Sequence, residues 1–198
     1  MVSSYNHLSV ERRGSIYIIT MQKPPENRIT VSFAQTLITA FRDIEGELGP
    51  DSEGAVILRG NDTKFFCTGL DLEERETNKF ASTDGFYPLI HTILDFPYPT
   101  ICLITGHVFG GACLLTMAHD YRIMNAKWGY CSMLPANLGL HFDGMGALLR
   151  LKLAPQIARK VLLQAHRFTG KEALADGIVD EIVEPEQLLD KALEMADK

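Results

Sequence analysis

Apolar and polar positions recur with two different periods along this chain. Between Leu8 and Met21, "LSVERRGSIYIITM" holds two β-branched, apolar runs separated by "RRGS", which predicts a hairpin. From Thr30 to Leu48 the period lengthens: Phe33, Leu37, Phe41, Ile44 and Leu48 stand at helical spacing, so a helix with one buried face is expected. "GAVILRG" (54–60) is a short apolar run between glycines, the pattern of a strand covered on both faces. The charges of "EERETNKFASTDG" then predict an exposed helix and loop, and "FYPLIHTILDF" returns to helical spacing. "PYPTICLITGHVFGG" reads as proline punctuation, a buried strand and a glycine-rich exit.

The tail repeats the alternation. "APQIARKVLLQA" and "TGKEALADG" predict helices, the second with Thr169 as N-cap, Glu172 three residues on and Gly177 beyond its end. "IVDEIV" (178–183) predicts a strand, and "EPEQLLDKALEMADK" a last amphipathic helix. No internal repeat, low-complexity run or linker divides the chain, so the expectation is one α/β domain over 1–198 with mainly parallel strands.

With 198 residues, 46% hydrophobic and 22% charged, the chain has the material for one well-filled core. A net charge of −6 without a run of lysine and arginine argues against a nucleic-acid surface. The longest stretch free of Asp, Glu, Lys and Arg (96–119) is broken by prolines, glycines and a histidine, which argues against a membrane span. Cys67, Cys102, Cys113 and Cys131 lack C-x-x-C spacing and sit among apolar neighbours, so they are expected to be small buried hydrophobes in a reducing compartment.

In parallel α/β proteins, ligands bind where strands hand over to helices. Two hand-overs here carry glycine, "VILRGNDTKFFCTGLDL" and "ICLITGHVFGGACLL". A helix start offers unpaired N–H groups, and glycine lets a ligand oxygen approach the backbone; two such starts side by side would supply converging donors for a developing oxyanion. The sequence lacks the G-x-G-x-x-G, G-x-x-x-x-G-K-[ST] and G-x-S-x-G patterns. His119-Asp120 and His141…Asp143 lack further ligands at sensible spacing, so no metal is expected. His107 and His119 are read as structural. Cys67 lies near a donor loop but has no base adjacent in sequence.

The succession "FFCTGLDL", "GHVFGGACLLTMAHDYRI", "MLPANLGL" and "FTGKEALADGIVDEIV" resembles the crotonase, or enoyl-CoA hydratase/isomerase, superfamily. The resemblance implies a fold of repeated ββα units, a homotrimer or hexamer, and an acyl-CoA substrate that brings coenzyme A with it, with no separate cofactor, nucleic acid or membrane partner. It implies an intracellular location, cytoplasmic or peroxisomal. Family members usually continue into a further helical extension, beyond the single domain expected over 1–198. Carried onto this chain, the two thioester-polarising amides fall on Leu70 and Gly111. Substrate contacts are expected at Cys67, Gly69, Asp71, Gly110, Leu114, Pro135 and His141.

The usual carboxylates are missing. Hydratases carry glutamate at the positions of Leu114 and Pro135, and neither residue here can move a proton. Some relatives, the dienoyl-CoA isomerases and 4-chlorobenzoyl-CoA dehalogenases, place a catalytic aspartate eight residues after the second glutamate, which is Asp143 here. Apolar neighbours Phe142 and Met145 favour a carboxylate that holds its proton more tightly. Asp143 is also placed to cap a helix over "GMGALLRLKL". The resemblance therefore implies an enoyl-CoA isomerase with Asp143 as base; a hydratase or lyase, or an acyl-CoA binder without catalysis, are the alternatives.

Overall fold

The computed structural model describes residues 2–50, 52–61, 64–140, 144 and 146–198. Strands β1 (Val2–Tyr5), β2 (Leu8–Arg13) and β3 (Ile16–Met21) make an antiparallel meander, and α1 (Val31–Leu48) follows. Strands β4 (Ala55–Gly60) and β5 (Phe65–Cys67) lead to α2 (Leu72–Thr77), a π-helical turn (Ser82–Phe86) and α3 (Tyr87–Leu94). Strands β6 (Thr100–Ile104) and β7 (His107–Phe109) lead to α4 (Gly111–Ala118). Strands β8 (Tyr121–Asn125) and β9 (Cys131–Ser132) lead to a 3₁₀ turn (Leu134–Leu138), α5 (Ala147–Lys152) and α6 (Pro155–Gln164). The chain closes with α7 (Gly170–Ala175), β10 (Glu181–Val183) and α8 (Leu188–Ala196).

This is an α/β fold of repeated ββα units. In each of the three central units the first strand joins a seven-stranded sheet, in the order β1-β2-β3-β4-β6-β8-β10, and the second joins a three-stranded sheet, β5-β7-β9. The pairs from β3 to β10 and within the small sheet are parallel. Period-two alternation divides the large sheet between two cores. Tyr17, Ile19, Val56, Leu58 and Cys102 face the main core with α1, while Ile16, Ile18, Ile57, Ile101 and Leu103 face Leu188 and Ala192 of α8. Both faces are covered, which is why β4 and β6 read as unbroken apolar runs.

Helix α1 starts where expected, with the Thr30 side chain accepting from the Phe33 amide, and buries Phe33, Leu37, Phe41 and Ile44. Each large side chain so buried contributes roughly 1.5–3 kcal/mol. Thr169 and Glu172 form the expected capping box. All four cysteines are free and buried. Other expectations shift: the strand expected over 178–183 shortens to Glu181–Val183, because Ile178 and Val179 are buried in the turn that follows α7. The helix expected after Asp143 starts only at Ala147, with Gly146 rather than Asp143 in the capping position. Asp143 and His141 themselves lie outside the described residues.

Candidate active site

The segment 23–30 fixes one wall of the site, and Asn27 fixes the segment. Its side chain is buried: Nδ2 donates to the Phe66 carbonyl at 2.9 Å and Oδ1 accepts from the Lys23 amide at 2.8 Å. Its φ of 52° is left-handed, a conformation asparagine tolerates better than most residues. The segment so held runs beside the β5 exit, with the Thr68 amide on the Glu26 carbonyl (3.1 Å), Ile29 on Gly69 (2.8 Å) and Asp71 on Ile29 (3.0 Å). In this ladder Gly69 gives its carbonyl and Asp71 its amide. The N–H of Leu70, between them, is therefore directed away from Ile29, towards the side occupied by β7 and α4.

That side is in contact. Gly69 has a φ of +88°, and a Cβ built on it would lie 2.7 Å from the Gly111 nitrogen and 2.7 Å from the Phe109 carbonyl oxygen. Any side chain at position 69 would force the two hand-overs apart. Gly111 opens α4, so its N–H is one of the amides a helix cannot satisfy internally. Behind it, the Gly110 amide bonds the Ser132 carbonyl at 3.0 Å, tying α4 to β9.

These loops bound a cavity of about 430 Å³. Leu70, Leu72, Phe109, Gly110, Gly111 and Leu134 line it, with Pro135, Leu138 and Leu140 from the 3₁₀ turn and its exit. Glu26, Arg28, Thr68 and Arg75 add polar groups to the wall. Glu26 is held through Oε2, which accepts from Arg28 Nε at 2.9 Å and from Thr68 Oγ1 at 3.3 Å. A mostly apolar cavity with Leu70 and Gly111 in its wall suits a ligand with an apolar body.

Of the residues expected at the site, Leu70, Gly110, Gly111 and Pro135 line the cavity, and Gly69 stands directly behind the donors. Cys67, Asp71 and Leu114 do not line it, a correction with a physical reason in each case. The Cys67 thiol turns inward and donates to the Asn27 carbonyl at 3.1 Å; burial pushes its pKa up to about 12, which leaves no thiolate for chemistry. The Asp71 carboxylate caps α2 by accepting from the Glu74 amide at 3.0 Å. Leu114 is part of the main core. Asn27, Glu26 and Arg28 were not expected. Asparagine between a proline pair and the cap of α1, in "PPENRIT", was the signal that could have pointed to them.

Among the described residues, no three His, Cys, Asp or Glu side chains converge as a metal site, and no helix is long and apolar enough to cross a membrane. His107 is stacked between Phe109 and Tyr130, and burial lowers its pKa; His119 is buried within the core.

The chain belongs to the enoyl-CoA hydratase/isomerase family, whose model matches residues 11–198. The peroxisomal enoyl-CoA delta isomerase 2 of Arabidopsis thaliana is 29% identical over 183 residues, covering 87% of this chain and 75% of the relative. Carnitinyl-CoA dehydratase of Salmonella paratyphi A is 31% identical over 194 residues, covering 96% and 72%. A methylmalonyl-CoA decarboxylase, solved with 2-nitronate-propionyl-CoA, superposes with a TM-score of 0.88 at 27% identity, covering 98% of this chain and 75% of that one.

Proposed function

We propose that this protein shifts the double bond of an enoyl-CoA thioester. The thioester oxygen sits between the amides of Leu70 and Gly111, which stabilise the dienolate formed when a proton leaves the α-carbon. Asp143 is the base that moves the proton between the α- and γ-carbons. The observation that carries this reading is the contact of Gly69 with the Gly111 nitrogen, because it brings the Leu70 and Gly111 amides to one wall of an apolar cavity. Isomerisation is favoured over water addition by the side chains at positions 114 and 135: leucine and proline cannot activate water. Asp143 follows the cavity residue Leu140 by three positions.

Asp143→Asn tests the assignment. It preserves size and removes the base, so turnover of a 3-enoyl-CoA should fall by about 10²–10⁴-fold while the melting temperature stays near wild type. An unchanged rate in a folded variant would exclude Asp143 as the base.

A further inference from the structure

In the loop that leaves β5, four successive amides have different fates. Those of Thr68, Gly69 and Asp71 are used by the protein itself, on the Glu26 carbonyl at 3.1 Å, the Cys67 sulfur at 3.4 Å and the Ile29 carbonyl at 3.0 Å. The amide of Leu70 has no protein partner among the described residues. Two of the three partners, Glu26 and Ile29, belong to the segment 23–30, and the third, Cys67, is turned towards that segment by its bond to the Asn27 carbonyl at 3.1 Å. Asn27 is the joint between segment and strand, with all four of its polar groups engaged. Its backbone N–H donates to the Lys23 carbonyl and its Oδ1 accepts from the Lys23 amide, both at 2.8 Å; Nδ2 donates to the Phe66 carbonyl at 2.9 Å, and its own carbonyl takes the Cys67 thiol. The residue is buried and its φ of 52° is left-handed. Glycine would accept that φ but offers neither side-chain bond, and an ionised aspartate has no donor for Phe66. Asparagine meets both demands.

We propose that Asn27 is a positioning residue: through Phe66, Cys67 and Ile29 it holds the Leu70 N–H where the thioester oxygen gains charge. It stands behind the cavity wall and is not among the residues that line it, so it acts on the substrate only through the loop. A main-chain donor stabilises an oxyanion when it lies about 2.7–3.1 Å from the oxygen's position in the transition state, so a small displacement of the loop weakens that interaction. Ground-state binding, carried by the apolar walls, changes little. The loop also has no slack towards α4, because a Cβ on Gly69 would already lie 2.7 Å from the Gly111 nitrogen. Loosening Asn27 therefore disturbs both donors together.

This inference rests on the reading that the Leu70 and Gly111 amides polarise the thioester, and one experiment separates the two failures. Hexanoyl-CoA, which has no double bond to shift, is isotope-labelled at its thioester carbonyl, and the infrared C=O stretch is recorded free and bound to wild type, Asn27→Gly, Asn27→Asp and Cys67→Ala. Turnover of a 3-enoyl-CoA and the melting temperature are measured on the same preparations. Binding to wild type should move the stretch to lower frequency. Asn27→Gly keeps the left-handed φ and removes both side-chain bonds, so the stretch should return part of the way to its free value, with kcat lower by about 10–100-fold and KM within about twofold. Burial of Asn27→Asp favours the carboxylic acid form, which again offers a donor and an acceptor, so this variant should restore part of both. Cys67→Ala frees the Gly69 amide without touching the Asn27 side chain and should move frequency and kcat in the same direction, by less. A residue that only stabilised the fold would lower the melting temperature and leave the bound thioester at the wild-type frequency. That result in folded Asn27→Gly, or in Asn27→Asp and Cys67→Ala should Asn27→Gly not fold, overturns the role of Asn27 and leaves the two amides standing. An unshifted stretch in wild type overturns the reading of the two amides, and Asn27 falls with it. A shifted stretch without turnover of the 3-enoyl-CoA overturns the isomerase activity alone, and the frequencies then decide the role of Asn27.

Discussion

At its first residue, α4 presents the Gly111 amide beside Gly69 and the cavity; just past its last, the His119 carbonyl lies under two cationic side chains. Arg122 Nη1 and Lys152 Nζ each donate to that carbonyl at 2.9 Å, and Arg122 is held in turn by Asp180 at 2.9 Å and by the Ile178 carbonyl at 3.0 Å. The positive guanidinium and ammonium complement the negative end of the helix dipole. One end of an eight-residue helix is thus closed by the protein's own side chains, while the other meets a cavity. The difference teaches that a helix end finished by the protein is holding structure, and an end left facing a cavity is available to a ligand. Changes at the open end should therefore alter turnover, and changes at the closed end should alter stability alone.

The largest expected effect is at the open end. Proline is well tolerated at the first position of a helix, where its missing N–H breaks no internal bond. Gly111→Pro should lower turnover by about 10²–10³-fold, the usual cost of one oxyanion donor. Gly111→Ala keeps the N–H, although its Cβ would meet Leu70 Cγ and Phe86 Cζ at 3.3 Å, so it should lose only a fraction of that. Equal losses in the two variants would show that steric fit, and not the amide, matters at this end.

A second effect belongs to the closed end and depends on pH. His119 is fully buried, with Nδ1 against the Leu115 carbonyl at 2.8 Å and Nε2 unpartnered among the described residues. Burial lowers its pKa from 6.5 to about 4, only partly offset by the bond to Leu115. The unfolded chain therefore takes up a proton at higher pH than the folded one. Stability from this residue is fully present above about pH 6.5, is lost as pH falls towards 4, and changes no further below that. The gap between these two values corresponds to roughly 3 kcal/mol. Urea midpoints across this window should fall more steeply for wild type than for His119→Gln, and parallel curves would rule His119 out as the cause.

These two ends were not equally legible in the sequence. The hairpin, α1 and the capping box of α7 followed from period and cap residues, because local interactions decide them. Strands β5 and β9, three and two residues long, are too short to carry a period, so the small sheet that forms the site was invisible as a sheet. The glycines of both hand-overs stood out, and their convergence was implied only by resemblance; what brings them together is a contact between Gly69 and Gly111, distant in the chain. Glu26 was missed for the same reason, since the tertiary bond from Asn27 to Phe66 places it. The closed end gave no signal either, because Arg122, Lys152 and Asp180 come from three separate elements or turns.

The smallest effect tests the closed end one donor at a time. Lys152 is half-buried, and burial lowers its pKa, with Arg122 adding to the shift, so holding the ammonium there carries a desolvation cost. Lys152→Met keeps most of the apolar stem and removes both the charge and the hydrogen bond. The His119 carbonyl still has Arg122 as donor, so no buried acceptor is orphaned, which is what makes hydrogen-bond deletions expensive. A cost below about 1 kcal/mol is expected, with turnover unchanged. Arg122→Met should cost more, about 1–3 kcal/mol, because it strips the Ile178 carbonyl of its donor and removes the ion pair to Asp180, whose Oδ2 keeps only the backbone amide of residue 122. Chemical denaturation and enoyl-CoA turnover on the same preparations read both quantities. If Lys152→Met slows turnover in proportion to its loss of stability, the two ends of α4 are coupled, and the separation of structure from chemistry along this helix does not hold.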